Sequence, residues 1–329
     1  MSAWQPRVNV LTDEGTRVMA RRTSLEDATC AIAQALDVVG DWWTLLIVRD
    51  TARGVRRFDE LQRELGLSRK VLTERLRLLV EADVLTRVPY QERPVRHEYH
   101  LTARGRALLP VLVALQDWGD AWILGDGRTT ATAEEASAEA RRVHELAGTR
   151  IPELKLLDDE GTARDPVAAH TPYTVLYCFP GAYARADAYP PGWSEIPGTP
   201  GCTLESCTYR DRLAEFAAAG VTVHGVSTQR PDEQRAFAAK ERLGFPLLSD
   251  AGLSLIAALR LPTFRAAGTG RLKRLTLVVD RERVVRSVQY PITDVAGSVD
   301  AALETVRRLN QGDPDEDVSG KGERTDPVE

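Results

Sequence analysis

Two cysteines carry the first candidate chemistry in this chain. Cys202 and Cys207 lie in the run Thr199-Pro200-Gly201-Cys202-Thr203-Leu204-Glu205-Ser206-Cys207-Thr208-Tyr209-Arg210-Asp211. Proline and glycine oppose a helix before Cys202, whereas every residue after it is compatible with one, so Cys202 is expected in a first helical turn. There the free backbone N–H groups and the helix dipole favour an anion, and the thiol is expected to fall below its reference pKa of about 8.5. A thiolate attacks a peroxide oxygen and becomes a sulfenic acid. The Thr199 hydroxyl, three residues upstream, is placed to hydrogen-bond the reacting atoms.

Cys207 follows five positions later. With a rise of about 1.5 Å per residue, an intact helix would hold the two α-carbons roughly 8 to 9 Å apart. A disulfide needs them within about 7 Å, so joining these cysteines requires the helix to unwind locally. Zinc is a poor alternative, because two cysteines with no nearby histidine or further cysteine fall short of four ligands. The C-x-x-C spacing of a thioredoxin-like oxidoreductase is absent. Two unrelated buried cysteines remain the competing reading.

The elements that must position these thiols alternate in type from residue 151 onward. Strands are expected over 174–179, 221–227, 275–279 and 284–288, and helices over 203–219, 232–243, 253–258 and 295–309. Such alternation argues for an open α/β sheet. TPGCTLESCTYRD, GVTVHGVSTQRPDEQRAFAAKERLGFPLLSD, KRLTLVVD and the opening IPELKLLDDEG together resemble a peroxiredoxin of the Q or bacterioferritin-comigratory type, over about residues 146–309. The resemblance implies a thioredoxin-like fold, Cys202 as peroxidatic cysteine and Cys207 as resolving cysteine. It also implies Thr199 at the motif's hydroxyl position and Arg274 as the active-site arginine that stabilises the thiolate and polarises peroxide. Glu195 stands where the family's motif has proline. Pro180 in YCFPG is expected to fill that role, with the insertion AYARADAYPPGWSEI following it. Cys178, on the preceding strand, is read as buried and inert.

The N-terminal half has a different texture. Ile32, Leu36, Val39, Trp43, Leu46 and Ile47 recur at helical spacing around Gly40, and a short helix is expected over 58–65. Ser68 is a good N-cap for a helix to about residue 82 with Val71, Leu72, Leu76 and Leu79 as its buried stripe. Extended runs over 85–90 and 96–101 suggest a hairpin with a longer loop, and a last helix spans about 103–122. This order is that of a winged helix-turn-helix. From residue 49 to 106 there are 14 Lys or Arg against 9 Asp or Glu, although the whole chain carries a formal charge of -5. A nucleic-acid site is therefore a local patch. Ser68, Arg69, Lys70, Thr73, Arg75 and Arg77 lie on the third helix, where donors would meet acceptor-rich groove edges and phosphates. Arg87 and Arg93 on the hairpin would reach the flanking backbone or minor groove.

The stretches CAIAQALDVVGDWWTLLIVRD, RRFDELQRELGLSRKVLTERLRLLVEADVLTR and HEYHLTARGRALLPVL resemble an HxlR-type transcriptional regulator. That resemblance implies a homodimer on an inverted repeat of double-stranded DNA, with half-sites about one helical turn, roughly 34 Å, apart. Some members of this family sense electrophiles through a cysteine near the first helix, where Cys30 stands. Read from residue type alone, Cys30 is first a small apolar packing residue.

Length and composition fit this division. At 329 residues with 43% hydrophobic content, the chain can build two cores. The expected fold class is two domains, a mainly α winged helix-turn-helix with a β-hairpin wing, then an α/β thioredoxin-like fold. Expected boundaries are a flexible arm over 1–23, the DNA-binding domain over 24–123, a linker and helix over 124–145, the peroxiredoxin domain over 146–310, and a disordered acidic tail over 311–329. Four cysteines are too few and scattered for a secreted disulfide scaffold, and neither an apolar leader nor a membrane-spanning stretch is visible, so a cytoplasmic protein is expected. No cofactor and no metal are expected. The expected function is a redox-linked regulator whose thioredoxin-dependent peroxidase domain reduces hydrogen peroxide or organic hydroperoxides, with a thioredoxin-like protein as reductant. The alternatives are primarily a thiol peroxidase whose winged helix only localises or autoregulates it, and a DNA-binding regulator with an inactive peroxiredoxin domain.

Overall fold

The computed structural model describes residues 29–312. The expected arm over 1–23 and all but the first two residues of the expected acidic tail lie outside the described residues.

The first half is built on α1 (Ala31–Val39), α2 (Trp42–Ala52), α3 (Phe58–Leu65) and α4 (Arg69–Glu81), followed by the hairpin β1 (Leu85–Glu92) and β2 (Val95–Leu101). The bend of 74° between α1 and α2 falls at Gly40-Asp41, and the Asp41 side chain caps α2 by accepting from the Trp43 amide. Leu61, Leu65, Leu72, Leu76 and Leu79 close over Ile47 and Val48 as one core. Gly66 ends α3 with φ of 63°, a left-handed turn that glycine makes without steric cost. Val71, expected in the buried stripe, is only half-buried at its edge. The wing is tighter than its sequence suggested. The strands run on to Glu92 and Val95, so Arg93-Pro94 alone form the turn, and a register shift between Pro89 and Gln91 absorbs the extra residue.

The single helix expected over 103–122 is two, α5 (Ala103–Arg106) and α6 (Leu109–Trp122). Pro110 is the cause. It lacks an N–H and is tolerated only in a first turn, so it opens α6 instead of continuing α5. The helix expected within 124–145 is α7 (Ala138–His144), with Ser137 as its cap.

The second half contains β3 (Leu156–Asp158), β4 (Ala163–Arg164), β5 (Tyr173–Cys178), α8 (Cys202–Asp211), α9 (Leu213–Ala218), β6 (Val221–Ser227), α10 (Pro231–Glu241), β7 (Leu247–Ser249), α11 (Ser254–Leu259), the hairpin β8 (Thr263–Ala266) and β9 (Thr269–Leu272), β10 (Leu275–Asp280), β11 (Val285–Gln289) and α12 (Val295–Asn310). One seven-stranded sheet runs in the order β11-β10-β5-β6-β7-β3-β4, with β5, β6 and β7 parallel and the outer pairs antiparallel. The helix expected over 203–219 breaks at Arg212 into α8 and α9. Strands β3, β4, β7, β8 and β9 have two to four residues each, too short to announce themselves by alternation.

A parallel centre must be covered on both faces. Val175, Tyr177 and Phe179 point into a core with Tyr209 of α8, Phe216 of α9, Phe237 of α10 and Val299 of α12. Leu176, Cys178, Val226 and Leu277 point the other way, into a core that contains Leu255 and Ile256 of α11, Val143 of α7, and Leu109 and Val113 of α6. The last winged-helix element thus covers the second face of the sheet. Gln116 donates to the Leu261 carbonyl at 2.9 Å, and Thr263 donates to Asp117. Arg142 of α7 holds Asp120 of α6 through two bonds of 2.7 Å. Glu139 of α7 accepts from Lys273 at 2.9 Å and from the Tyr290 hydroxyl, all within the core. Leaving one member of such a buried ion pair unmatched costs about 3 to 5 kcal/mol.

The segment expected as a polar linker is also fixed. The Ala131 amide donates to the Pro197 carbonyl at 2.8 Å, and Ala131 is fully buried against Trp193 and Phe264. Among the described residues no single helix is long and apolar enough to cross a membrane.

Candidate functional site

Cys202 opens α8, as its sequence context predicts, and Gly201 makes the entry possible. Its φ of 101° is left-handed, and a Cβ there would stand 3.1 Å from the Val295 side chain. The thiol is 3% exposed and unpaired with any other sulfur. It donates to the Thr199 carbonyl at 3.4 Å, and the Gly181 amide at the end of the β5 turn points at the sulfur. Gln229 fixes that turn by bonding both the amide and the carbonyl of Ala182 at 2.8 Å.

Arg274 sits immediately before β10, and the sheet carries it under the first turn of α8. Its Nη2 donates to Cys202 Sγ at 3.3 Å and to the Pro200 carbonyl at 3.0 Å, while Nη1 donates to Glu205. Glu205 is fully buried, three residues beyond Cys202 and on the same helix face. Tyr177 donates to Ser206 at 3.1 Å and stacks on Tyr209 with ring centroids 4.4 Å apart, which holds α8 against the sheet.

The expected acidity of Cys202 is corrected by this environment. Burial pushes the thiol up; Arg274 and the Gly181 amide pull it down, Glu205 pushes it up, and the net direction is upward. Burial likewise pushes the Glu205 carboxyl up to about 7, against the pull of Arg274.

Thr199 lies beside the thiol, but through its carbonyl. Its hydroxyl is directed at the carbonyls of Trp193, at 2.5 Å, and Ile196, at 2.9 Å. Both carbonyls belong to the turn that ends the insertion, where they also accept from the Ile196 and Thr199 amides, so the hydroxyl adds a second bond to each and is turned away from the sulfur. Pro180 stands two residues beyond β5, next to Gly181, and Glu195 stands in the second of the short helical turns that follow.

Cys207 faces the end of α10, half-buried, with its thiol donating to Glu241 at 3.6 Å. Cys178 is fully buried in the second core, and desolvation pushes its thiol far up, which removes its nucleophilicity. Cys30 precedes α1, half-buried and making no cap bond.

The basic residues of α4 divide into two groups. Ser68 caps the helix through Val71, and Lys70 and Thr73 are exposed, Lys70 without an ion pair among the described residues. Arg69 is exposed, lies over the Phe58 ring at 5.0 Å and is 3.6 Å from Asp59. Arg75 instead pairs with Asp41 at 3.0 Å and ties α4 to α2. Arg77 is held by Glu74 and Glu81 on its own helix, at 2.8 and 2.5 Å. Those two positions fit holding the helix better than reaching a phosphate. Arg87 and Arg93 stand exposed on the wing.

Sequence reasoning missed Glu205, Gln229 and Gly181. The spacing of Glu205 from Cys202 was a usable signal, whereas Gln229 comes from a distant loop and carried none.

Comparison with known proteins agrees with this two-part fold. Residues 38–126 match the model of the HxlR-like helix-turn-helix family, and residues 195–288 match that of the AhpC/TSA family. An uncharacterized HTH-type transcriptional regulator of Mycobacterium tuberculosis is 50% identical over 93 residues, 28% of this chain and 59% of the relative. The HTH-type regulator YvaP of Bacillus subtilis is 41% identical over 27% of this chain and 84% of its own length. A putative peroxiredoxin of Mycobacterium tuberculosis is 31% identical over 166 residues, 50% of this chain and 98% of the relative. The chain belongs to both families. An HxlR-like regulator half and an AhpC/TSA half therefore stand on one polypeptide, although it spans only about 59% of the length of the first of these relatives.

The AhpC/TSA site makes a direct prediction. Arg274→Met removes the one cation that touches the sulfur among the described residues, so the pH profile of Cys202 alkylation moves to higher pH. The reaction of Cys202 with hydrogen peroxide slows by about 100-fold or more, the usual cost of losing a preorganised donor. Stopped-flow oxidation and iodoacetamide labelling measure both, and an unchanged profile contradicts the role of Arg274.

Proposed function

We propose that this chain is a peroxide-responsive transcriptional regulator whose AhpC/TSA half is a working thiol peroxidase. Cys202 attacks the peroxide, Arg274 stabilises the thiolate and polarises the peroxide O–O bond, and the product is an alcohol or water with a Cys202 sulfenic acid. Cys207 then closes a disulfide, which a thioredoxin-like protein reduces. Both hydrogen peroxide and organic hydroperoxides fit this chemistry. The domains divide as the sequence suggests, near residues 124–145.

One observation carries the regulatory part. Arg274 touches the sulfur, and the next residue back, Lys273, is clamped to Glu139 of α7 and to the Thr132 carbonyl at 3.2 Å. Arg142 of α7 in turn holds α6 of the winged helix. Displacing α8 to form a disulfide frees Arg274 and so perturbs a rigid link that ends in the DNA-binding half. Coupling requires the two redox forms to bind DNA with different free energies. Ser68, Arg69, Lys70 and Thr73 are the groove-facing set on α4, with Arg75 and Arg77 behind them and Arg87 and Arg93 on the flanks. Cys30 is assigned a packing role.

A homodimer is supported by the second face of α6. Val111, Leu115, Trp118 and Trp122 recur at helical spacing and are each more than half exposed, as are Ile32 and Leu36 of α1. Apolar stripes of this kind mark an interface, and a two-fold dimer matches an inverted-repeat operator. An enzyme merely localised by its winged helix has no use for the α7 link.

Two outcomes follow. In gel-shift titrations at fixed salt with DNA from upstream of its own gene, peroxide changes the affinity of the wild-type protein about fivefold or more, a typical allosteric coupling, and leaves Cys202→Ser unchanged; equal affinity in both redox states contradicts the regulatory reading. In sedimentation experiments, Trp118→Glu converts a dimer to a monomer that keeps its folded circular-dichroism spectrum, whereas a dimer that persists moves the interface elsewhere.

A further inference from the structure

Besides the Tyr177 contacts that hold it to the sheet, the half of α8 that carries Cys207 is fastened to α10 through one residue. Glu241, the last residue of α10, accepts from the Cys207 thiol with its carboxylate at 3.6 Å and from Arg210 Nη1 with its backbone carbonyl at 2.6 Å. The carboxylate lies 3.4 Å from Lys240 Nζ and is mostly buried. Arg210 and Asp211, paired at 2.8 Å, are the other charged groups on the α8 side. These contacts hold the segment that must leave its place before Cys207 can reach Cys202.

We propose that Glu241 is a positioning residue for the second chemical step, which keeps the Cys207 thiol docked and protonated until Cys202 has been oxidised. This rests on reading Cys207 as the resolving cysteine. In that step the Cys207 sulfur attacks the sulfenic sulfur of Cys202. The S–S bond forms as the S–O bond breaks, and the Cys207 proton leaves with the hydroxyl as water. The sulfenic sulfur is itself the oxidant, so no further reagent enters.

The direction of the effect follows from charge. Burial pushes the Cys207 thiol up, Arg210 pulls it down, and Glu241 and Asp211 push it up. A carboxylate beside the thiol disfavours a second anion, so a resting protein holds Cys207 as the unreactive thiol. A premature thiolate would compete for other electrophiles. Departure of α8 from α10 separates Cys207 from Glu241 and releases that restraint at the moment the disulfide can form.

The test uses the full chain and its E241Q and E241A variants, mixed with hydrogen peroxide, quenched in acid and resolved by mass spectrometry into thiol, sulfenic acid and disulfide. Disulfide formation in E241Q is expected to be about twofold or more faster at neutral pH, with its pH profile displaced to lower pH. The gain stays smaller than the gain in thiolate, because a less basic thiolate is a weaker nucleophile. The preceding loss of the Cys202 thiol keeps the wild-type rate. E241A, which removes the acceptor as well, shows the same displacement. Identical disulfide rates and pH profiles in all three proteins overturn the role of Glu241 while leaving Cys207 as resolving cysteine. A wild-type sulfenic acid that persists with no Cys202–Cys207 disulfide overturns both.

Discussion

The guanidinium of Arg274 is shared among the Cys202 sulfur, the Pro200 carbonyl and the buried carboxylate of Glu205, and almost none of it reaches water. Charges so placed are stable only while their partners stay within hydrogen-bond reach, because desolvation of each is costly and its pairing repays that cost only in good geometry. The first turn of α8, the entry at Gly201 and the start of β10 are therefore one rigid unit. Chemistry at the sulfur cannot change the position of α8 without disturbing that unit.

The neighbourhood of Arg274 extends the constraint across the molecule. Lys273 points to the opposite side of the chain and enters a second buried cluster with Glu139 and Tyr290, where α7 joins α6. The same side of the sheet is roofed by Leu109 and Val113, so the regulator half supplies part of the core that the AhpC/TSA half needs. Ala131 is pinned to Pro197, five residues before Cys202. The insertion after Pro180 thus gives the inter-domain segment something to dock on, and the loop that leads to the thiol is also the loop that receives the linker.

Much of this was legible in the sequence because it follows from local rules. Pro200-Gly201 before a helix-compatible run put Cys202 in a first turn, Ser68 marked the start of α4, and the alternation from residue 151 onward announced the sheet. The resemblance to the peroxiredoxin family supplied Arg274, which no spacing could have brought to Cys202. What failed depended on the tertiary environment. The acidity of Cys202 was judged from the helix dipole, and the opposing push of burial was not visible in a linear reading. Arg75 and Arg77 look like groove-facing donors in a linear reading, and only the positions of Asp41, Glu74 and Glu81 show them engaged. Residues 125–132 look like a free linker by composition, since one buried alanine gives no sequence signal.

The central claim is that redox state at Cys202 is transmitted through Arg274 and Lys273 to α7 and the winged helix. Amide hydrogen exchange, followed by mass spectrometry before and after one equivalent of hydrogen peroxide, reads this directly. The account predicts that peptides covering α8, α7 and α6 lose protection together in the wild-type protein and that none of them changes in Cys202→Ser. Loss of protection confined to α8, with α7 and α6 as protected as in the reduced protein, would contradict it.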